Sequence, residues 1–232
     1  GRSPAAGVGA RSPATRRRAQ AWVLARERPA DPAFDPDRDV AVARLETPFA
    51  GFHIAQEVRL CHRRFDGAMG PEITRAAFMV GAAAVVLPYD PVRDAVLLVQ
   101  QFRAPVFLAG DRAPWLWEPV AGLIDPGESP ETAARREARE EAGIEIDRLE
   151  PAGGAYSSSG SMGEYVHCFV GLADFAARGQ GGGLASENED IRVRELPWAA
   201  FIEAVDAGEQ KDLPLLFLAN WLARHRERLR AG

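Results

Sequence analysis

The sequence predicts an α/β protein in which a mixed sheet is flanked by helices, with a small β-rich domain ahead of it. The apolar runs 81–90 and 95–105 are separated by four residues, which indicates a strand pair at the centre of the sheet. Residues 130–142 carry helix signals at both ends, and amphipathic segments at 197–208 and 214–229 indicate further helices. Strands and helices that alternate along the chain in this way are typical of α/β architecture.

The overall composition is that of an ordinary globular chain. With 232 residues, 47% hydrophobic and 26% charged, it has enough apolar material for one main domain and a smaller appendage. The net charge of −5 argues against a nucleic-acid partner, and the apolar runs are too short to cross a bilayer. Cys61 and Cys168 have neither metal-ligand spacing nor a disulfide framework, which indicates a reducing compartment and a cytoplasmic protein.

Three domains are predicted along the chain. Residues 1–20 contain five arginines and no acids, which predicts a disordered tail, although organellar transit segments share this composition. Residues 21–80 carry β-prone stretches at 40–46, 52–65 and 72–80, too few to be stable without packing on something else. The main domain is predicted to occupy residues 81–232.

Beyond the helix at 130–142, the chain alternates between strands and loops. Strands are predicted at 145–152, 165–173 and 191–196, with a Ser/Gly-rich loop at 156–163. The glycine-rich segment 179–190 ends in an acidic cluster and is predicted to be a long flexible loop. Such loops often form lids or active-site loops.

The helix at 130–142 carries the most informative pattern in the chain. Ser129 is placed to cap its start and Gly143 to close its end. At 3.6 residues per turn, Glu137 and Glu141 lie on one face, one turn apart, with Glu140 beside them. Like charges at this spacing repel each other, and the helix dipole disfavours anions near the C-terminal end.

A cation is therefore expected beside these carboxylates. Arg136 precedes Glu140 by four residues and neutralises part of the charge, but Glu128 adds a further carboxylate. Hard divalent cations such as Mg²⁺ or Mn²⁺ take oxygen ligands of this kind. The alternative is a solvated helix face on which the glutamates pair with Arg135 and Arg139.

The segment from Gly122 to Ile144 follows the pattern Gly-x5-Glu-x7-Arg-Glu-Ala-x-Glu-Glu-x-Gly-Ile. At every defined position it resembles the signature of the Nudix hydrolases. The resemblance implies an α/β/α sandwich that binds metal ions and hydrolyses a nucleoside diphosphate linked to another group. It also implies roles for individual residues: Glu137 and Glu141 as principal metal ligands, Glu128 and Glu140 as assisting carboxylates, and Arg136 as the residue that orients the glutamates.

The flanking sequence resembles two branches of this family. Residues 80–105 are similar to the ADP-ribose pyrophosphatase branch, which implies hydrolysis of ADP-ribose to AMP and ribose 5-phosphate. The Gln-Phe-Arg that ends at Arg103 is shared with the GDP-mannose branch, so GDP-mannose or another nucleotide sugar is the alternative substrate. Ser159 stands where many ADP-ribose pyrophosphatases have a proline. The alternative of another class is a non-catalytic nucleotide-sensing protein that retains the fold.

The same resemblance implies the rest of the site. Hydrolysis of a diphosphate needs a base for the attacking water, and Glu187 is the residue implied for it, with Glu189 as a further metal ligand. The carbonyl of Ala121 is implied as a backbone metal ligand. An N-terminal sheet exchanged across a homodimer is also implied, with Arg75 and Glu164 as substrate contacts across that dimer. Arg103 is a candidate phosphate or ribose contact, and a salt-bridged strand-end arginine is its alternative.

Overall fold

The computed structural model describes residues 5–184, 186 and 189–231, with side chains described from residue 14 onward. These residues form two compact units. The first comprises the chain up to Ala82 together with Ile124–Gly127 and Tyr156–Tyr165. The second comprises Ala83–Leu123, Glu128–Ala155 and the chain from Val166 onward.

The first unit is built on antiparallel strands preceded by helices. Its elements are α1 (Ala5–Arg26), α2 (Pro36–Asp39), β1 (Val40–Ala50), β2 (Ile54–His62) and the first part of β3 (Ile73–Asp90). β2 lies between β1 and β3, with Val40 opposite His62 and Ile54 opposite Met79. This arrangement leaves β1 at the edge of the described sheet.

The structure differs from the predicted disordered tail at residues 1–20, because α1 covers most of that stretch. The arginines and the missing acids suggested disorder, but residues 14–26 are rich in Ala and Arg, which are good helix formers. The helix is also held within its own unit. Ala14 is buried, the Arg17 guanidinium lies 4.8 Å from the centre of the Phe52 ring, and the Gln20 side-chain carbonyl accepts the Gly127 N–H at 3.2 Å.

The second unit contains the remaining elements in whole or in part, and its strands and helices have the mixed α/β architecture that was predicted. They are the rest of β3, β4 (Ala95–Phe102), α3 (Ala104–Leu108), β5 (Trp115–Glu118), β6 (Val120–Leu123), α4 (Pro130–Ala142), β7 (Arg148–Tyr156), β8 (Met162–Leu172), β9 (Arg192–Pro197), α5 (Trp198–Asp206) and α6 (Leu213–Arg230). The last residue of β7 and the residues of β8 up to Tyr165 belong to the first unit. β4 lies between β5 and β9, since Val99 faces both Glu118 and Val193. β6 pairs with β3 and places Ala121 opposite Val85.

The core of the second unit lies where α6 and α5 pack on the sheet. Leu215, Leu218 and Leu222 form the apolar side of α6, the amphipathic helix predicted at 214–229, and they are fully buried with Tyr89 and Phe201. Burying each of these leucines stabilises the fold by about 2 kcal/mol. This packing gives β3, β4 and β6 a rigid support, and the residues implied by the family pattern project from these strands and from α4.

Two predicted boundaries shift in the structure. The runs 72–80 and 81–90 form one continuous strand, β3, which passes through Gly81 at a φ of 133° that glycine adopts without a steric penalty. The strand predicted at 145–152 instead covers Arg148–Tyr156. Within the described residues, no helix has both the length and the apolar character needed to cross a bilayer.

Candidate active site

Helix α4 forms as the sequence predicts, from Pro130 to Ala142. The Ser129 hydroxyl accepts the Thr132 N–H at 3.2 Å, and Gly143 ends the helix in the left-handed conformation at a φ of 64°. The alanines of the helix face the protein interior: Ala133, Ala134, Ala138 and Ala142 are fully buried. Packing of this face against β6 fixes which way the glutamates of α4 point.

Arg136 is the centre of the charged cluster on α4. Its guanidinium makes two 3.0 Å bonds to the Glu128 carboxylate, and its Nη1 lies 2.6 Å from Glu137 and 3.1 Å from Glu140. Its Nη2 also donates to the Leu123 carbonyl at 3.2 Å. One planar guanidinium therefore holds three carboxylates and the end of β6 in a single arrangement.

Glu141 is a buried carboxylate, and Glu137 is a partly buried one. Glu141 is 2% exposed, and its Oε2 accepts the Ala121 N–H at 3.1 Å. Burial raises the pKa of Glu137 to about 7 and that of Glu141 to about 8. The charge of Glu189 raises both pKa values further, and the charge of Glu137 adds to the shift at Glu141. These carboxylates thus share a region in which negative charge is poorly compensated.

Gly122 leaves the space that the Glu137 carboxylate fills. A Cβ atom on Gly122 would lie 1.8 Å from Oε1 of Glu137 and 2.1 Å from its Cδ. No side chain fits at this position while Glu137 keeps its place. The first glycine of the family pattern therefore has a steric reason, which is the close approach of β6 to the carboxylates of α4.

The donor set fits a divalent cation, although it is not a closed cage. Within the described ranges, no three Asp, Glu, His or Cys side chains converge on one point suited to a metal ion. Glu128, Glu137 and Glu140 are drawn toward Arg136 instead. Burial and the charge of Glu189 nevertheless disfavour the ionised forms of Glu137 and Glu141. A bound cation would relieve this repulsion, and hard cations favour oxygen donors of this kind.

Two interpretations of Arg103 were open from the sequence, a phosphate or ribose contact and a salt-bridged arginine, and the structure is compatible with both. Its Nε and Nη2 bind both oxygens of Glu118 at 2.6–3.0 Å, while its side chain remains 37% exposed. It is a salt-bridged arginine with one part of the guanidinium accessible. Glu118 is 5% exposed and was missed from the sequence. The signal that was available is an acidic residue inside the apolar run Trp-Leu-Trp-Glu-Pro-Val.

The remaining predicted residues fall into three groups. Glu189 belongs to the second unit, and its Oε2 accepts the Leu184 N–H at 2.9 Å. Glu187 lies outside the described residues. Arg75 and Glu164 belong to the first unit: Arg75 is exposed on β3 with Nη1 bonded to the Thr74 carbonyl at 2.8 Å, and Glu164 is half-buried on β8. The roles assigned to all four remain predictions.

Helix α4 packs on a mixed α/β sheet through its alanines and carries clustered glutamates on its other side. This combination defines a Nudix protein, and the chain belongs to the NUDIX family. The family's domain matches residues 79–217, which is more than half of the 232 residues. The protein is accordingly a Nudix hydrolase, a class of enzyme that generally uses a divalent metal.

Individual relatives are similar over most of the chain. The ADP-ribose pyrophosphatase of Escherichia coli (strain K12) is 39% identical over 192 residues, which cover 83% of this chain and 91% of that protein. The ADP-ribose pyrophosphatase of Haemophilus influenzae is 38% identical, covering 67% of this chain and 73% of the relative. A GDP-mannose pyrophosphatase of Escherichia coli (strain SMS-3-5 / SECEC) is 34% identical, covering 64% and 76%.

A solved structure supports the fold independently. The crystal structure of an ADP compounds hydrolase superposes with a TM-score of 0.62 over 83% of this chain and 97% of that chain. The two sequences are 18% identical, so this likeness concerns the fold.

Proposed function

We propose that this Nudix hydrolase uses Mg²⁺, or Mn²⁺, to hydrolyse the diphosphate of ADP-ribose to AMP and ribose 5-phosphate. The observation that carries the proposal is the pair formed by the partly buried Glu137 and the buried Glu141, which lie against Gly122 and Ala121 of β6, with Arg136 bonded to Glu137. The substrate follows from the similarity to relatives named ADP-ribose pyrophosphatase, which extends over 83% of the chain.

The proposed division of labour among the carboxylates is supported by the family resemblance. Glu137, Glu141 and Glu189 hold the metal, assisted by Glu128 and the Ala121 carbonyl. When bound, the cation neutralises the diphosphate and lowers the pKa of the attacking water. Arg136 keeps the glutamates of α4 in register through its bonds to three carboxylates.

The proposed reaction is a single displacement at phosphorus. The water oxygen forms a bond to one phosphorus while the bridging P–O bond breaks, which releases AMP and ribose 5-phosphate. Glu187 is the proposed base that takes the proton of the attacking water, and Glu140 assists from α4. The assignment of Glu187 rests on resemblance, since this residue lies outside those described.

Substrate contacts are proposed on three further residues. Arg103 presents the part of its guanidinium that Glu118 leaves accessible, which suits a phosphate or ribose oxygen. Arg75 and Glu164 are proposed to contact substrate across a dimer, as the family resemblance implies. Both residues belong to the first unit, and mutation of each tests its role.

GDP-mannose is the second candidate substrate. The relative named GDP-mannose pyrophosphatase is 34% identical over 148 residues. The Gln-Phe-Arg ending at Arg103 is common to both branches, and Ser159 departs from the proline of many ADP-ribose pyrophosphatases. These observations support a nucleotide sugar other than ADP-ribose as the second candidate substrate.

A panel of nucleoside diphosphate compounds assayed with Mg²⁺ separates the candidates. We expect kcat/KM for ADP-ribose to exceed that for GDP-mannose at least about tenfold, since a site that hydrogen-bonds one base and sugar rejects another. Faster turnover of GDP-mannose would make it the substrate instead. A folded protein that binds nucleotide and hydrolyses no member of the panel would support the non-catalytic, nucleotide-sensing alternative.

A homodimer is proposed through the N-terminal sheet. Residues 41–49 of β1 are exposed along both faces of an edge strand. Val42, Leu45 and Phe49 are 60%, 57% and 56% exposed. A long edge strand with exposed apolar side chains indicates that another chain binds there. The family resemblance implies that this chain is a second copy of the protein.

Sedimentation equilibrium at micromolar concentration tests the dimer. We expect Leu45→Lys to shift the protein toward the monomer, because a charge would be buried at the interface. A monomeric wild-type protein would contradict the proposal.

The protein is proposed to be cytoplasmic. Its principal partner is proposed to be the nucleotide-sugar substrate. Cys61 and Cys168 are both free thiols, which is in keeping with a reducing compartment. The charge of −5 suits a small-molecule enzyme rather than a nucleic-acid binder.

A further inference from the structure

The C-terminal end of α4 is completed by a segment far along the chain. The carbonyls of Ala138 and Arg139 accept the N–H groups of Ile144 and Gly143 at 3.1 Å each, as expected for a helix closed by glycine. Carbonyls in the last turn of a helix have no partner within it. Those of Glu140 and Glu141 accept from residues 183 and 182, at 3.2 and 2.9 Å.

We call residues 181–183 the glycine strap. All three are glycines, and their contact with the helix leaves no room for a side chain at position 181. A Cβ on Gly181 would lie 2.5 Å from the Ala142 carbonyl carbon and 2.6 Å from the Glu141 oxygen. Both neighbours are backbone atoms, which cannot swing aside. The absence of a side chain at Gly181 is therefore a condition for the strap to touch the helix.

Hydrogen bonds through Leu184 connect the strap to Glu189. The N–H of Leu184, the next residue, donates to Oε2 of Glu189 at 2.9 Å, and the Glu189 N–H donates to the Leu184 carbonyl at 3.3 Å. A Cβ on Gly183 would lie 2.6 Å from the Glu189 Cβ and 2.7 Å from its Oε2. The carboxylate of Glu189 thus rests against the strap, and the strap is bonded to the carbonyls of Glu140 and Glu141.

From this chain of contacts we propose that the glycine strap is a positioning element that sets the place of Glu189 relative to the metal-binding glutamates of α4. The inference rests on the proposed function in taking Glu189 as a metal ligand. The strap and α4 move as one body, so that carboxylates far apart in sequence meet one cation. Gly181 and Gly183 act through Glu189 and do not touch the substrate or the metal themselves.

The chain offers a matched pair of variants. Gly181→Ala places a methyl group against the helix backbone, whereas a Cβ on Gly179 would lie 3.6 Å from the Gly143 carbonyl, an ordinary contact. Neither glycine adopts a positive φ, so the two substitutions differ in the available space and not in backbone strain. Calorimetric titration of Mn²⁺ into metal-free protein, without substrate, measures the effect.

We expect Gly181→Ala to weaken Mn²⁺ binding about tenfold or more, the usual effect of losing a group that orients a metal ligand, and Gly179→Ala to stay within about twofold of wild type. A structural role alone would lower the melting temperature of Gly181→Ala and leave Mn²⁺ affinity unchanged, which would overturn the proposal. Equal weakening in both variants would also overturn it. Since no substrate is present, failure of the protein to hydrolyse ADP-ribose would contradict the proposed function and leave this result standing.

Hydrogen exchange on the wild-type protein keeps the proposal testable if Gly181→Ala does not fold. We expect the amides of Gly182 and Gly183, which bond to the helix end, to exchange more slowly when Mn²⁺ is bound, because the metal draws Glu189 and α4 together. Exchange rates that do not respond to Mn²⁺ would overturn the proposal.

Discussion

Glu141→Gln is expected to lower kcat about 100- to 1,000-fold, because a metal contributes several kcal/mol to such reactions and each 1.4 kcal/mol is a factor of ten. The amide keeps the shape of the side chain, which is 2% exposed, and still accepts the Ala121 N–H that now reaches Oε2 at 3.1 Å. The change therefore removes one oxygen of the proposed metal ligand, and its charge, without opening a cavity. Steady-state kinetics over a range of Mg²⁺ concentrations measure the loss.

Glu131→Gln is the matched control for this experiment. Glu131 lies in the first turn of the same helix and is exposed, so its charge has no part in the cluster near Gly122. We expect its kcat to stay within about twofold of wild type, since surface substitutions of this kind have small effects. Burial already disfavours the charged form of Glu141, so the metal-free Glu141→Gln protein should be at least as stable as wild type. Unchanged turnover in Glu141→Gln would remove the proposed metal site.

Arg136→Lys is expected to lower both activity and stability although the charge is retained. A lysine ammonium is a compact point charge and cannot reproduce the planar fork that reaches Glu128, Glu137 and Glu140 together. At least one of these carboxylates then loses its partner. We expect kcat to fall about 10- to 100-fold and the free energy of unfolding to drop by about 1–3 kcal/mol.

Urea unfolding and kinetics on Arg136→Lys and Arg139→Lys check this expectation side by side. Arg139 lies on the same helix, is about half exposed, and makes one long 3.4 Å contact with Glu145. Its substitution should change the free energy of unfolding by less than about 0.5 kcal/mol. If the two variants lost equal stability and activity, Arg136 would be one more surface arginine and not the organiser of the cluster.

Helix α4 shows how far local sequence signals reach. The Ser129 cap, the proline that follows it and Gly143 predicted Pro130–Ala142, and the structure has the same bounds. The relative placement of Glu137, Glu140 and Glu141 followed from helical geometry, because residues three and four apart must share a face. The strand pair β3 and β4 and the apolar stripe of α6 were likewise predicted from local periodicity.

The errors and omissions concern contacts between residues far apart in sequence. The composition of residues 1–20 suggested a disordered tail, whereas α1 packs through Ala14 and Arg17 within its own unit. The ion pair of the partly exposed Arg103 with the buried Glu118 joins the end of β4 to β5, and no local pattern predicts that pairing. The glycines at 181–183 suggested a flexible loop, but the N–H groups of Gly182 and Gly183 bond to carbonyls in the last turn of α4.

The sequence by itself determined the family, the reaction class and the helix that carries most of the proposed metal ligands, because these depend on residues within one short segment. The tertiary structure decided the environment of those residues. It buries Glu141, places β6 so that Gly122 must lack a side chain, and docks the strap and Glu189 against the end of α4. Burial and close backbone approach arise from packing between distant segments, and for that reason only the folded chain reveals them.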